Sequence, residues 1–429
     1  MRFPLSLGAY RLATLLATPL SGVLLSLRLN KAKEDPLRIE ERRGVASLDR
    51  PEGPLVWLHG ASVGEALSLL PLIDRITRSG RHALVTTGTI TSARLLAQRL
   101  PPGGLHQYAP LDAPRFMRRF FEHWRPDVAL IAESELWPNM IVEARRAGVP
   151  LVMVNARMSA RSYARWRKAR TFIQALLRRV DLCLAQSQAD AERLADLGAP
   201  DVRMTGNLKF DAPAPPADRQ ELAALSGLTS GRQIWVAAST HAGEERLAAE
   251  AHLKLAETFP DALTLIAPRH PSRGEAIRAE LEAMGLNCAL RSRGERPERE
   301  TAVYICDTIG ELGIFYRLAG VVMVGKSFNN DGGQNPIEAA KLACAILHGP
   351  HVANFLDVYA LLDEAGGAAL VHDADELAAM LLALFDDPSR LRTMARAAAS
   401  AVEGQGGAAD RVMHALTPLL PATPQPALA

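Results

Sequence analysis

The sequence predicts a parallel α/β protein built in two halves, on three observations. Short apolar runs alternate with amphipathic stretches from residue 54 onward, the pattern of buried strands and covering helices. The alternation stops at DAPAPPADRQ (211–220), a proline-rich segment without periodicity, and then restarts. A chain of 429 residues is too long for one ordinary domain and suits two of roughly 200. With 48% hydrophobic and 22% charged residues, a largely disordered or fibrous chain is excluded. Lys and Arg number 49 against 47 Asp and Glu, so any attraction to nucleic acid or membrane must come from local patches. The four cysteines are scattered without a CxxC pair, which argues against a disulfide scaffold and a cysteine-rich zinc site.

In chain order, the first segment is 1–30. Residues 12–27 (LATLLATPLSGVLLSL) carry no charge, and 5–10 lengthen the run if Arg11 snorkels to an interface. Arg28, Lys31, Lys33, Arg38, Arg42 and Arg43 follow, and no small-residue cleavage site does. The segment reads as a membrane-anchor helix, spanning or lying in the interface, in preference to a buried core helix or a cleaved signal peptide. Its basic flank would hold the rest of the chain in the cytoplasm.

The first half, 31–210, predicts strands at LVWLHG (55–60), ALVTTG (83–88), DVALIAES (127–134), LVMVNAR (151–157) and DLCLAQS (181–187), with helical patterns between them. After the 211–220 linker, the second half, 221–405, predicts QIWVAAS (233–239), ALTLIAP (262–268), VYICDT (303–308), VVMVG (321–325) and CAILHG (344–349). A C-terminal helix and tail, 406–429, close the chain. Two Rossmann-like halves joined by a short linker are the architecture of the GT-B fold, with the active site in the cleft between them. Ligands of such sheets sit at the carboxyl ends of the strands.

The strand-to-helix corners carry the chemistry. Ser62-Val-Gly-Glu65, Thr308-Ile-Gly-Glu311 and Asn335-Pro336-Ile-Glu338 each have the spacing of a capping box, with Pro336 as a first-turn signal. These glutamates could merely cap. The glycines and free N–H groups of such corners also suit an anion. Ser239-Thr-His241-Ala-Gly243-Glu244 is a fourth corner. Three of the four fall in the second half, which therefore reads as the holder of a phosphorylated ligand, with Glu338 facing ribose hydroxyls. Neither a G-x-G-x-x-G nor a P-loop motif occurs. Glu65, at a helix N-terminus, is expected to stay ionised at neutral pH.

Other clusters have two readings each. Glu133-Ser-Glu135-Leu-Trp137-Pro138 is a solvated loop or a site-facing carboxylate pair, and the Trp-Pro favours the site. Arg269, after Pro268, is a surface turn or a phosphate ligand. Lys209 stands just before the linker. His59, His241 and His270 lack metal-ligand spacing. Residues 157–179 hold eight basic side chains and no acidic one, with Tyr163 and Trp166 between them. That is a solvated face or a contact for anionic lipid; no nucleic-acid module accompanies it.

Taken in order, WLHGASVGE, TTGTITSARLL, YAPLD, ESELWPN, NARMS, GNLKFD, APRHPSR, DTIGELG and GGQNPIEAAKL, spread over 57–342, resemble the 3-deoxy-D-manno-octulosonic acid (Kdo) transferase family of lipopolysaccharide biosynthesis. The resemblance implies a GT-B enzyme without metal or other cofactor, at the cytoplasmic face of the inner membrane. It would transfer Kdo from CMP-Kdo to a lipid A precursor with inversion, in contact with membrane lipids and not with nucleic acid. It implies Glu65 as catalytic base, with Glu135 and Lys209 stabilising the transition state. CMP contacts are implied at Pro268, Arg269, Gly310, Glu311, Leu312, Asn335, Pro336, Ile337 and Glu338. Gln334 stands where many members have His, and Lys326-Ser327 where Gly-Ser is common. A soluble nucleotide-sugar epimerase is the competing reading of the same fold; it would have no use for the apolar N-terminus or the basic stretch.

Overall fold

Each of the ten expected apolar runs forms a strand in the computed structural model, which describes residues 4–329 and 332–422. Four further strands join them. Contacts divide the chain into two units: one runs to Ala212 and resumes at Gly406, and the other is Pro213–Gln405.

The first unit opens with α1 (Leu5–Leu16) and α2 (Ser21–Asn30). It continues as β1 (Leu55–His59), α3 (Val63–Arg78), β2 (His82–Thr87), α4 (Ile90–Arg99), β3 (Gly104–Tyr108), α5 (Pro114–Trp124) and β4 (Val128–Ala132). Then come α6 (Pro138–Arg146), β5 (Leu151–Ala156), α7 (Ala160–Lys168), α8 (Arg170–Leu177), β6 (Leu182–Ala185), α9 (Gln188–Asp196) and β7 (Val202–Met204). All seven strands are parallel, in the order β3-β2-β1-β4-β5-β6-β7. The strands are apolar along their length because helices cover both faces. Leu55 and Trp57 pack with α5, α6, α8 and α9, while Val56 and Leu58 pack with α3 and α4.

The second unit holds α10 (Arg219–Leu228), β8 (Ile234–Thr240), α11 (Glu244–Thr258), β9 (Leu263–Pro268), α12 (Gly274–Ala283), β10 (Cys288–Leu290) and β11 (Val303–Ile305). It ends with α13 (Leu312–Leu318), β12 (Val321–Val324), α14 (Ile337–Ala340), β13 (Ala345–His348), α15 (Leu356–Glu364), β14 (Ala368–Leu370), α16 (Ala374–Asp386) and α17 (Pro388–Glu403). Its strand order is β10-β11-β9-β8-β12-β13-β14, again parallel. Each sheet reverses direction of growth once, between β1 and β4 and between β8 and β12. Loops that diverge there leave the crevice in which such sheets bind ligands. Two such units on one chain make the GT-B fold.

The last helix, α18 (Ala408–Leu416), belongs to the first unit, where Ala408, Ala409, Val412 and Leu416 are buried against α3. Asp211 caps it: its carboxylate accepts from Gly407 N at 2.7 Å and Ala409 N at 2.5 Å. Residues 423–429 of the expected tail lie outside the described residues.

The N-terminal segment is not one continuous helix. It is a pair of helices bent by 47° at Thr18-Pro19, where proline removes a helix N–H and crowds the preceding turn. Among the described residues no single helix is long and apolar enough to cross a membrane. Arg11 does not snorkel: it is 8% exposed and ion-paired to Glu143 of α6. Leu7 joins the core beneath it. Leu5, Leu12, Leu16, Leu20, Val23, Leu24 and Leu27 face outward.

Candidate functional site

The carboxyl ends of β1 and β4 flank the switch point of the first sheet and deliver its carboxylates. After β1, Ser62 caps α3 in a complete capping box. Its Oγ accepts from Glu65 N at 3.3 Å, and its N–H donates to Glu65 Oε2 at 3.2 Å. Ser62 Oγ also donates to Glu65 Oε1 at 2.9 Å. Gly60 lets the corner close, since a Cβ there would meet Glu65 Cβ at 3.0 Å. After β4, the loop 133–137 brings Glu133 and Glu135 beside Glu65. Glu133 holds φ +51, a conformation that is strained for a residue with a Cβ.

Both loop carboxylates are fixed. Lys209 Nζ donates to Glu133 Oε1 at 2.5 Å. Lys209 stands on a short turn anchored by Asn155, whose Oδ1 accepts from Leu208 N at 3.0 Å. Glu135 Oε2 accepts from Trp137 Nε1 at 2.5 Å and lies 3.9 Å from His59 Nε2. His59 is fully buried, and its Nε2 has no hydrogen-bond partner among the described residues. Thr86 Oγ1 holds Nδ1 at 2.9 Å and also accepts from Trp57 Nε1.

The electrostatics of Glu65 are set by more than its helix position. Burial, and then the charges of Glu135 and Glu133, push its carboxyl above the ordinary range, and the Ser62 hydrogen bonds only partly oppose this. The helix N-terminus does not win, because the dipole is a surface-scale effect while two anions stand close by. A raised carboxyl is a stronger base once ionised, which suits proton removal from a poor acid.

At the carboxyl edge of the second sheet, the expected ligand corners differ from one another. Pro268 ends β9, and Arg269 follows with an exposed guanidinium and its N–H on Thr240 O at 3.0 Å. His241 and His270 stand with it, ring centroids 6.0 Å apart. His270 is held below its usual range by burial and then chiefly by the Arg269 guanidinium.

Thr308 and Glu311 do not form the expected capping box. Helix α13 starts at Leu312 with no side-chain cap, after Gly310 at φ +89. Glu311 instead takes Arg291 on both oxygens, through Nε at 2.6 Å and Nη2 at 2.5 Å, and accepts from Thr308 Oγ1. Arg291 chiefly holds the Glu311 carboxyl below its ordinary range. In the third corner the helix begins at Ile337, with Pro336 before it and not inside it, and spans four residues. Asn335 Oδ1 accepts from Ile337 N at 3.1 Å, and Glu338 sits in the first turn, half-buried.

The fourth corner is already occupied by the protein. Glu244 is 1% exposed, and its carboxylate accepts from the N–H groups of His241 (2.8 Å), Lys326 (2.7 Å), Ser327 (2.9 Å) and Phe328 (3.1 Å). Among the described residues no group of three or more His, Cys, Asp or Glu is placed to hold a metal ion.

The structure places the expected Glu65, Glu135 and Lys209 at one carboxyl edge of the first sheet, and sequence reasoning missed the groups that hold them. His59 was visible as a strand-end histidine, but nothing in the sequence pairs it with Glu135. Glu133 as the partner of Lys209 follows only once the turn after β7 is tied to Asn155 at the end of β5, beside β4.

Residues 37–212 match the 3-deoxy-D-manno-octulosonic-acid transferase (kdotransferase) family. The chain is 36% identical over 386 residues to the 3-deoxy-D-manno-octulosonic acid transferase of Bordetella pertussis, covering 87% of this chain and 89% of that one. It is 33% identical over 407 residues to the probable mitochondrial 3-deoxy-D-manno-octulosonic acid transferase of Arabidopsis thaliana, covering 92% and 91%. Among solved structures, the UDP-GlcNAc 2-epimerase of Neisseria meningitidis superposes with a TM-score of 0.59 at 14% identity, over 85% of this chain and 100% of that one, a likeness of fold alone. With these identities over nearly the whole chain, the protein belongs to the 3-deoxy-D-manno-octulosonic acid transferase family.

Proposed function

We propose that the protein transfers Kdo from CMP-Kdo to a hydroxyl of a lipid A precursor, with inversion, at the cytoplasmic face of the inner membrane. The observation that carries this is the carboxylate group at the β1–β4 switch point, where Glu65 is held by Ser62 and its carboxyl is pushed up by burial and then by Glu135 and Glu133. A sugar hydroxyl gives up its proton only as the new C–O bond forms, so its acceptor must be a positioned, relatively basic carboxylate. Glu65 takes that proton. The acceptor oxygen attacks the anomeric carbon of Kdo from the face opposite CMP, and the bond to the CMP phosphate breaks. Lys209 and Glu135, held by Glu133 and Trp137, face the charge that develops on the transferring sugar.

The second unit would hold the donor. Arg269 is suited to the phosphate, on which negative charge grows as it leaves. Glu311, Gly310, Leu312 and the Asn335–Glu338 corner line the same carboxyl edge, and Glu338 is suited to ribose hydroxyls.

Membrane attachment is supported by one face of the first unit. There, α1 and the turn between α1 and α2 expose Leu5 (94%), Leu16 (70%) and Leu20 (65%). Tyr10 of α1 meets Phe172 of α8 at 6.3 Å, and Phe172 stacks on Trp166 of α7. That places the exposed Arg161, Arg165, Arg167 and Lys168 beside the apolar pair. A bent apolar pair flanked by cations suits a helix lying in the interface of an anionic leaflet.

The test is direct. The full-length protein is incubated with CMP-Kdo and a tetraacylated lipid A precursor, and the products are weighed by mass spectrometry. The expected result is a gain of one or more Kdo masses and release of CMP. Release of CMP without a heavier lipid product would refute the acceptor, and no release would refute the donor.

A further inference from the structure

We infer that the N-terminal helix α1 is a brace for the catalytic loop and not only an attachment device, with Arg11 and Tyr10 as positioning residues. The inference rests on the proposed roles of Glu65 and Glu135.

Helix α6 begins at Pro138, directly after the loop 133–137, and its own N-cap, Trp137, offers no side-chain cap. The exposed N–H groups of its first turn must find acceptors elsewhere. Asp112 supplies them: Oδ2 accepts from Asn139 N at 3.1 Å, and Oδ1 accepts from Met140 N at 2.8 Å. Both Asp112 and Asn139 are then secured by α1. Tyr10 Oη donates to Asp112 Oδ2 at 3.0 Å. Arg11 Nη1 donates to Asn139 Oδ1 at 3.2 Å, and Arg11 Nη2 pairs with Glu143 one turn on. Asn139 Nδ2 donates to Thr14 Oγ1 at 3.0 Å and to Asp112 O at 2.7 Å.

Polar contacts from Tyr10, Arg11 and Thr14 thus join about one turn of α1 to Asp112 and to the first two turns of α6, and their centre is withdrawn from water. Asn139 is fully buried, Glu143 3% exposed and Arg11 8% exposed. A membrane anchor has no need of such wiring. Five residues separate the end of β4 from Pro138, and Glu135 and Trp137 are among them. With β4 fixed in the sheet, the position of the first turn of α6 decides where Trp137, and with it Glu135, comes to rest. Catalytic groups misplaced by about 1 Å lose on the order of 10²-fold in rate.

The experiment uses the full chain in detergent micelles, with the acceptor dispersed in the same detergent, so that membrane attachment drops out. Arg11→Met removes the contacts to Asn139 and Glu143. Glu143 keeps Arg146 at 3.1 Å, so its charge is not stranded. Tyr10→Phe is the milder variant, and Arg11→Lys keeps the charge on Glu143 but gives up the geometry at Asn139. The expected result is a fall of about 10-fold in kcat for Arg11→Met and a smaller fall for the other two, with KM for CMP-Kdo within twofold. A displaced Glu135 also repels Glu65 less, so the acid limb of the kcat profile moves to lower pH, which simple loss of stability would not do. Amide exchange over residues 133–141, read by mass spectrometry, needs no turnover and should speed up in Arg11→Met. Folded variants with unchanged exchange there overturn the brace, whatever reaction the site performs. Faster exchange in a protein whose wild type transfers no Kdo would keep the brace and refute the proposed function alone.

Discussion

Replacing Glu65 by glutamine separates its two roles on two scales. The structural role is the capping box: Ser62 N to Oε2 at 3.2 Å, Ser62 Oγ to Oε1 at 2.9 Å and Glu65 N to Ser62 Oγ at 3.3 Å. Glutamine retains an oxygen to accept from the Ser62 N–H, so the loss should stay below the ~1 kcal/mol typical of a cap. The chemical role is proton removal, for which a positioned base contributes about 10²–10⁴-fold, or roughly 3–5 kcal/mol of barrier. Glu65→Gln should therefore keep its melting temperature and CMP affinity while transfer falls at least 10²-fold. The sign of the pH effect follows from the raised carboxyl. A folded pKa above the unfolded one means that native stability falls as pH rises from the unfolded value through the folded one. Glutamine removes that penalty, so near neutrality the variant should melt at or slightly above wild type. In the same window wild-type activity should rise with pH, through a limb displaced above the ordinary carboxylate range, and the variant should show no such limb. Initial rates from pH 4 to 8 paired with thermal scans test both. Turnover within a few-fold of wild type would remove Glu65 from the chemistry and leave Glu135 as the next carboxylate to examine.

Glu135→Gln should move the acid limb downward, because the Glu135 charge is the second cause of the Glu65 shift; a pH–rate profile reads it. Arg269→Ala should weaken CMP binding in calorimetry by roughly 10-fold or more, as expected for a lost charged hydrogen bond, without lowering the melting temperature, because the guanidinium is exposed. Arg165→Glu combined with Arg167→Glu, both exposed on α7, should raise KM for the lipid acceptor more than for the donor; an equal rise would point to general damage. Deletion of residues 1–30 should lower the melting temperature by several degrees, since it removes buried Leu7 and the buried Arg11 that pairs with Glu143; a deletion variant as stable as the full chain would contradict the packing of α1.

The ten strands read from the sequence are the interior strands of the two sheets, and the four that escaped are the four edges: β3, β7, β10 and β14. A strand flanked on both sides is buried along its length and must be apolar throughout. An edge strand here is short or half-exposed, as in Val202–Met204 or Gly104–Tyr108, and leaves no such run. The carboxylate corner was legible because a capping box is local: Ser62 and Glu65 lie three residues apart. Arg291 on Glu311 and Arg11 on Glu143 were not, because those partners are 20 and 132 residues apart and meet only after the sheets are laid down. The same limit explains why the upward push on the Glu65 carboxyl was not legible. Its helix position is written in the chain, whereas the nearby Glu133 and Glu135 arrive from another strand.

Glu244 bears on which anions the second unit can admit. Four backbone N–H groups converge at the β8–β12 crossover, the place where doubly wound sheets commonly receive phosphate, and a carboxylate of the protein already fills them. An approaching dianion meets a saturated and negatively charged recess there. The neighbouring strand offers the opposite field: β9 ends in Arg269, beside His241 and His270. The internal anion thus acts as a counter-selector: it closes one berth to an outside anion, while the exposed guanidinium of Arg269 lies one strand spacing along the edge.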